Sequence, residues 1–268
     1  MAADSATSLV INRGDHSEIV NVYRYGNKVF NLVRGKAVSA MTAGMGSIGS
    51  ASIQELVKEF RSRLTNAGDE FFLNDNINLE NISNNAAKFL FEEKFSQHPV
   101  PAPHTLEFWI GGFSTDSITP ELWYMAIQNG ALVGPKRMCG NLESGIFVGG
   151  QPEPILRLLN GFDHSLTMFM QDNAVPQPNI DAFVSGLHAR SSVSLHHPAM
   201  PIQDAIELAD FFVDVTKRYF RFKPGADTVG GDTDIAVVTR YERFKWIKRK
   251  HFYPAELNPR ETGHGNDE

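Results

Sequence analysis

The first third of the chain alternates apolar and polar residues as a half-buried strand requires. Residues 18–24 and 28–33 flank the turn Tyr25-Gly26-Asn27, and residues 37–43 form a short apolar stretch that runs into glycines. Period-two patterning bounded by turn residues predicts short antiparallel strands. From Ser47 the period changes. Ile48, Ile53, Leu56, Val57, Phe60 and Leu64 recur at helical spacing, with Lys58, Glu59, Arg61 and Arg63 on the other face. A helix is expected over that stretch. A second is expected where Ile82, Ala86, Leu90 and Phe91 repeat, from Asn81 or Ser83 to just before His98-Pro99.

The middle of the chain returns to sheet. Leu106, Phe108 and Ile110 alternate within residues 104–113, and residues 121–127 read as a partner strand after Pro120. A further strand entry is expected at residues 145–150. It precedes a short helix carrying Ile155, Leu156, Leu158 and Leu159, which stops at Asn160-Gly161. Two more helices are expected over residues 180–189 and 202–220. In the second, Ile202, Ala205, Ile206, Ala209, Phe212 and Val213 form one apolar stripe. The last strands are expected at 234–239 and 244–248.

Strands, two helices, strands, helices, strands make an α+β protein. Two antiparallel sheets covered by helices would give a four-layer α/β/β/α sandwich, although pattern alone leaves other mixed folds open. One domain is expected over residues 1–253. Residues 254–268 are polar and aperiodic, with Pro259, Gly263 and Gly265, and are expected to be a disordered tail.

Composition narrows the function. The 268 residues are 42% hydrophobic, enough for a substantial core, and carry a net charge of -6 with both signs mixed along the chain. That balance argues against a nucleic-acid partner. The basic stretch at 240–251, interleaved with Phe244 and Trp246, reads as a terminal amphipathic strand. Cys139 is the single cysteine, which excludes an intrachain disulfide and any cysteine-rich metal site. His188, His196 and His197 lack acidic or cysteine companions at ligand spacing, so no metal is expected. Neither Gly149-Gly150 nor Gly230-Gly231 is followed by the lysine and hydroxyl of a phosphate loop, so no nucleotide cofactor is expected. Membrane-length apolar runs and signal-peptide features are not seen, and a cytoplasmic protein is expected.

Four segments, spread over almost the entire chain, resemble the proteasome family of N-terminal-nucleophile hydrolases, in its bacterial type. They are Ala2-Ala3-Asp4-Ser5; Lys28-Val29-Phe30 followed by Thr42-Ala43-Gly44-Met45-Gly46; Gly149-Gly150-Gln151-Pro152 before a leucine-rich helix; and Met200-Pro201-Ile202 with Thr228-Val229-Gly230-Gly231-Asp232-Thr233-Asp234. The resemblance implies the four-layer fold and amide hydrolysis by an N-terminal threonine whose own α-amine takes the proton. An alcohol needs such an adjacent base to act at neutral pH. Carried over, Lys28 would be the lysine that tunes the amine, Asp4 the aspartate that positions the lysine, and Gly44 or Gly46 the turn donating to the oxyanion. The resemblance also implies a homo-oligomer, ring or helical, acting on a peptide or amide substrate.

Two departures stand out. The family's nucleophile begins a strand paired with the Ala-Ala-Asp strand, so roughly 15 residues would precede Asp4, whereas three do here. The expectation is a truncated start with the first strand missing and a free sheet edge beside Asp4; the alternative is a non-catalytic assembly or binding protein. The family's supporting aspartate and serine before the final Gly-Gly fall on Ala226 and Val229, with Asp227 and Thr228 one position away as substitutes. Phe71, Phe72, Trp109 and Trp123 are candidates for either an interface or the core.

Overall fold

The computed structural model describes residues 1–12, 17–100, 102–139 and 144–250. Its strands are β1 (Ala2–Ala3), β2 (Thr7–Asn12), β3 (Ser17–Tyr23), β4 (Val29–Asn31), β5 (Val38–Gly44), β6 (Ser47–Ile48), β7 (Ala51–Ser52), β8 (Thr105–Gly112), β9 (Glu121–Gln128), β10 (Ala131–Arg137), β11 (Asp234–Thr239) and β12 (Arg243–Lys248). Its α-helices are α1 (Ile53–Thr65), α2 (Leu79–Ala87), α3 (Glu153–Asn160), α4 (His164–Asp172), α5 (Gln177–Ser191) and α6 (Ile202–Phe222). The protein is α+β, with antiparallel sheets throughout the described residues.

A five-stranded sheet, ordered β10-β9-β8-β5-β4, organises the main core. Alternation in β8 divides its faces: Leu106, Phe108 and Ile110 are buried under the helices, while Glu107 and Trp109 point to the opposite face. Leu56, Val57, Phe60 and Leu64 of α1 and Leu79, Ile82 and Ala86 of α2 complete that core. Phe60, Phe71 and Phe89 form an aromatic knot inside it, with Phe60 and Phe89 stacked at 5.4 Å. Of the four aromatic candidates, Phe71 is therefore core, whereas Phe72 is exposed.

The second sheet is β1-β11-β12, with Ala2 opposite Ile235 and Ala3 opposite Asp234. Val29 of β4 is buried with Ala236 and Phe244 from β11 and β12, and Met41 of β5 packs on them, so the two sheets meet there. Strand β1 lies at the edge: one side pairs with β11, and the other has no strand partner among the described residues. The strand is thus not paired on both sides within the described residues, and the edge beside Asp4 is open on its outer side.

Several boundaries differ from expectation. The first helix begins at Ile53, not Ser47, because Gly49 (φ +58°) turns the chain into the small β6-β7 ribbon first. Ser52 then caps the helix by accepting from the Glu55 N–H. The second helix continues through a π-helical stretch, Lys88–Lys94. No strand forms at residues 144–150; that segment is an irregular loop held by contacts described below. Strands β2 and β10 and helix α4 were not expected. Both β3 and β4 pair elsewhere, with β2 and β5, and do not form a hairpin around Gly26. The expected disordered tail lies outside the described residues.

Candidate functional site

Asp4 leaves β1 and is fixed on both carboxylate oxygens. Its Oδ1 accepts from Lys28 Nζ at 2.6 Å. Its Oδ2 accepts from the Ala6 N–H at 3.0 Å and from the Gly230 N–H at 2.9 Å. Charge-assisted bonds of this length hold both partners in one geometry, and the pair is mostly shielded, with side-chain exposures of 20% for Lys28 and 12% for Asp4. Lys28 sits just before β4 and its carbonyl accepts from the Thr42 N–H at 3.0 Å. That bond brings the lysine alongside the end of β5.

Lys28 and Asp4 lie on the wall of a cavity of about 1160 Å³. Gly44 and Gly46 line it at the end of β5, as do Thr228 ahead of β11 and Trp109 of β8. The β2-β3 ribbon overhangs it through Ile19 and Tyr23, and α6 closes it with Ala205, Ala209, Phe212 and Val213. At Gly44 the backbone adopts φ +88°, and a Cβ there would collide with the Thr105 carbonyl, so close approach of β5 to β8 requires glycine. Thr42 is also among the lining residues, and its hydroxyl is buried without a partner among the described residues. A mostly apolar cleft with a few convergent polar groups is the form of a small-molecule or peptide site.

The loop ahead of α3 forms another wall. Glu107 Oε2 accepts from the Gly150 N–H at 3.2 Å and from Trp109 Nε1 at 3.3 Å, tying the loop to the inner face of the sheet. A Cβ at Gly149 would run into Glu107, so the glycine lets the loop lie flat. Burial pushes the Glu107 carboxyl above the ordinary glutamate range, against the two hydrogen bonds that lower it. The Tyr124 phenol is raised as well, first by burial and then by Glu107. His196 Nε2 lies 3.1 Å from the Ser144 carbonyl and joins this loop to the one preceding α6.

The structure thus brings Asp4, Lys28, Gly44, Gly46 and Thr228 to one cavity. Asp227 goes elsewhere: it pairs with Arg24 at 2.8 Å. No group of three or more potential metal ligands occurs among the described residues. The α-amine of Met1 donates to the Ala236 carbonyl at 2.9 Å, and burial lowers its pKa. Residues 1–3 carry neither hydroxyl nor thiol. Cys139 is half-buried.

Sequence reasoning did not find Glu107, Arg24 or Lys250. Glu107 carried a signal, an acid inside an otherwise apolar alternating strand; Arg24 meets Asp227, and Lys250 meets Ser5, only across more than half the chain. With this geometry in view, no protein-family model matches the chain, and no curated protein matches it. Among the described residues no helix is long and apolar enough to cross a membrane.

Proposed function

We propose that this chain is a subunit of a proteasome-like amide hydrolase of the N-terminal-nucleophile class, with the helices and two sheets stacked as an α/β/β/α sandwich. The observation that carries the reading is the Asp4–Lys28 pair, 2.6 Å apart, on the wall of a cavity that also holds the Gly44–Gly46 turn. An ammonium held by a carboxylate beside a bound amide can lower the proton affinity of a neighbouring amine base and balance the charge of an oxyanion. Asp4 is spent on orientation: both its oxygens are occupied, which leaves Lys28 as the group facing the substrate. The reading requires an N-terminal threonine, serine or cysteine as nucleophile, and residues 1–3 carry neither hydroxyl nor thiol.

The cavity's apolar walls suit an extended peptide. Exposed Met168 and Phe169 on α4 and Phe183 on α5 suit burial between subunits of a homo-oligomer. A single half-buried thiol accords with a reducing, cytoplasmic setting.

A second reading, a non-catalytic proteasome-like assembly or binding protein, is favoured by one observation. Asp227, the substitute for the family's supporting aspartate, pairs with Arg24 at 2.8 Å and does not line the cavity.

Mass spectrometry and N-terminal sequencing of the protein made from its native locus, combined with turnover of fluorogenic peptides, separate the two. A mature N-terminal Thr, Ser or Cys, with turnover abolished by Lys28→Ala, supports the hydrolase. A native chain starting at Met1 or Ala2 without turnover supports the second reading.

A further inference from the structure

A second ion pair lies behind the first and is more deeply buried. Lys250, just beyond β12, has 2% of its side chain exposed and pairs with Asp234, at 3%. Its backbone N–H also donates to Asp234 Oδ1 at 3.0 Å, and its Nζ donates to Ser5 Oγ at 2.6 Å. Ser5 Oγ donates onward to the Asp232 carbonyl at 2.6 Å, while the Ser5 N–H donates to the Gly230 carbonyl at 2.9 Å. The Gly230 N–H is the donor that fixes Asp4 Oδ2, and the Ser5 carbonyl accepts from the Gly26 N–H two residues before Lys28. One connected network therefore runs from Lys250 through Ser5 and the Gly230 peptide to Asp4 and Lys28.

A buried ion pair is costly to desolvate, and well-packed apolar residues of the same volume often stabilise a fold as much or more. The charges must therefore be judged by what they fix. Here they fix a single strand end: Ser5 is the residue next to Asp4, and it is completely buried. Strand β1 has only two residues and one strand partner, too little ladder to set the direction of a side chain beyond its end.

We infer that Lys250 is a positioning residue for the Asp4–Lys28 pair: with Asp234 it clamps Ser5 against the Gly230–Asp232 turn and so aims the Asp4 carboxylate at Lys28. Its importance for turnover rests on the amide-hydrolase reading; the clamp itself does not. The last described residue of the chain thereby sets the geometry at its first few residues.

The test uses the full chain and needs no turnover. Two variants, Ser5→Ala and Lys250→Met, are compared with the parent by amide hydrogen exchange and by NMR of ¹⁵N-labelled lysine side chains. Exchange at the Ser5 and Gly230 amides is expected to rise by about tenfold or more, while Phe108 and Ile110 in the five-stranded sheet keep their protection. The Lys28 ammonium signal, protected from solvent by Asp4, is expected to vanish in both variants. If Lys250→Met fails to fold, Ser5→Ala decides alone, since it leaves the Lys250–Asp234 pair intact. An unchanged Lys28 signal with unchanged Ser5 and Gly230 exchange overturns the inference. So does a rise in exchange shared equally by Phe108 and Ile110, which is global destabilisation.

Discussion

Gly230 donates its backbone N–H to Asp4 Oδ2 at 2.9 Å, joining two residues 226 positions apart. Three donors converge on that one carboxylate. Removing it leaves an ammonium and two backbone N–H groups in a mostly shielded place without an acceptor. Asp4→Ala is expected to cost about 2–4 kcal/mol in urea unfolding. Asp4→Asn retains acceptor capacity on one oxygen and is expected to cost less than half as much. Equal losses for the two variants would show that the carboxylate's bonds are not what is being removed.

Glycine requirements separate by position. Gly44 (φ +88°) and Gly231 (φ +74°) each have a backbone carbonyl, that of Thr105 and of Arg24, where a Cβ would go. Alanine at either is expected to destabilise by more than about 2 kcal/mol, from both backbone strain and collision. Gly186, inside α5 with nothing within 4 Å, is expected to respond oppositely. Gly186→Ala should stabilise by about 0.5–1 kcal/mol through helix propensity. Thermal denaturation of the three variants checks both signs.

Glu107 gives a pH dependence. Burial raises its native pKa above the unfolded value, so between those two values the native state binds more protons than the unfolded chain. Stability attributable to this group is present below the unfolded pKa and is lost as pH rises through the native pKa. Glu107→Gln keeps an acceptor for Gly150 and Trp109 and removes that loss. Calorimetry is expected to show a Tm gain of about 2 °C at about pH 8 and little at about pH 4. A gain of the same size at both pH values would refute the assignment.

The aromatic knot gives the largest expected packing effect. Phe89 is completely buried, stacked on Phe60 and edge-on to Phe71. Phe89→Ala is expected to cost about 3–5 kcal/mol, chiefly from the cavity it leaves. Phe72→Ala, next to Phe71 but exposed, should cost under about 1 kcal/mol in the same chemical-denaturation experiment.

Elements with long, clean periodicity were legible before any coordinates. Helix α6, the alternation in β8 and the final pair β11-β12 lie where period and turn residues put them, and in β8 burial of one face dictates the pattern. Short elements were not. Strand β2 has exposed apolar residues, Leu9 and Val10, whose partner strand cannot be read locally, and α4 buries no residue at all. The loop at 144–150 resembled a strand because its apolar residues suit one, but Glu107 holds it by its backbone to the sheet face.

By itself, the sequence determined the α+β class, the main helical core, and the candidates Asp4, Lys28, Gly44 and Gly46. Composition, period and motif order are local properties that survive without coordinates. Only the tertiary structure decided that Asp4 and Lys28 touch, that Asp227 turns to Arg24, and that Lys250 returns to Ser5. Those pairings depend on which strand ends the sheets bring together. Hydrogen bonds act over about 3 Å, whereas the chain between these partners runs for up to 245 residues.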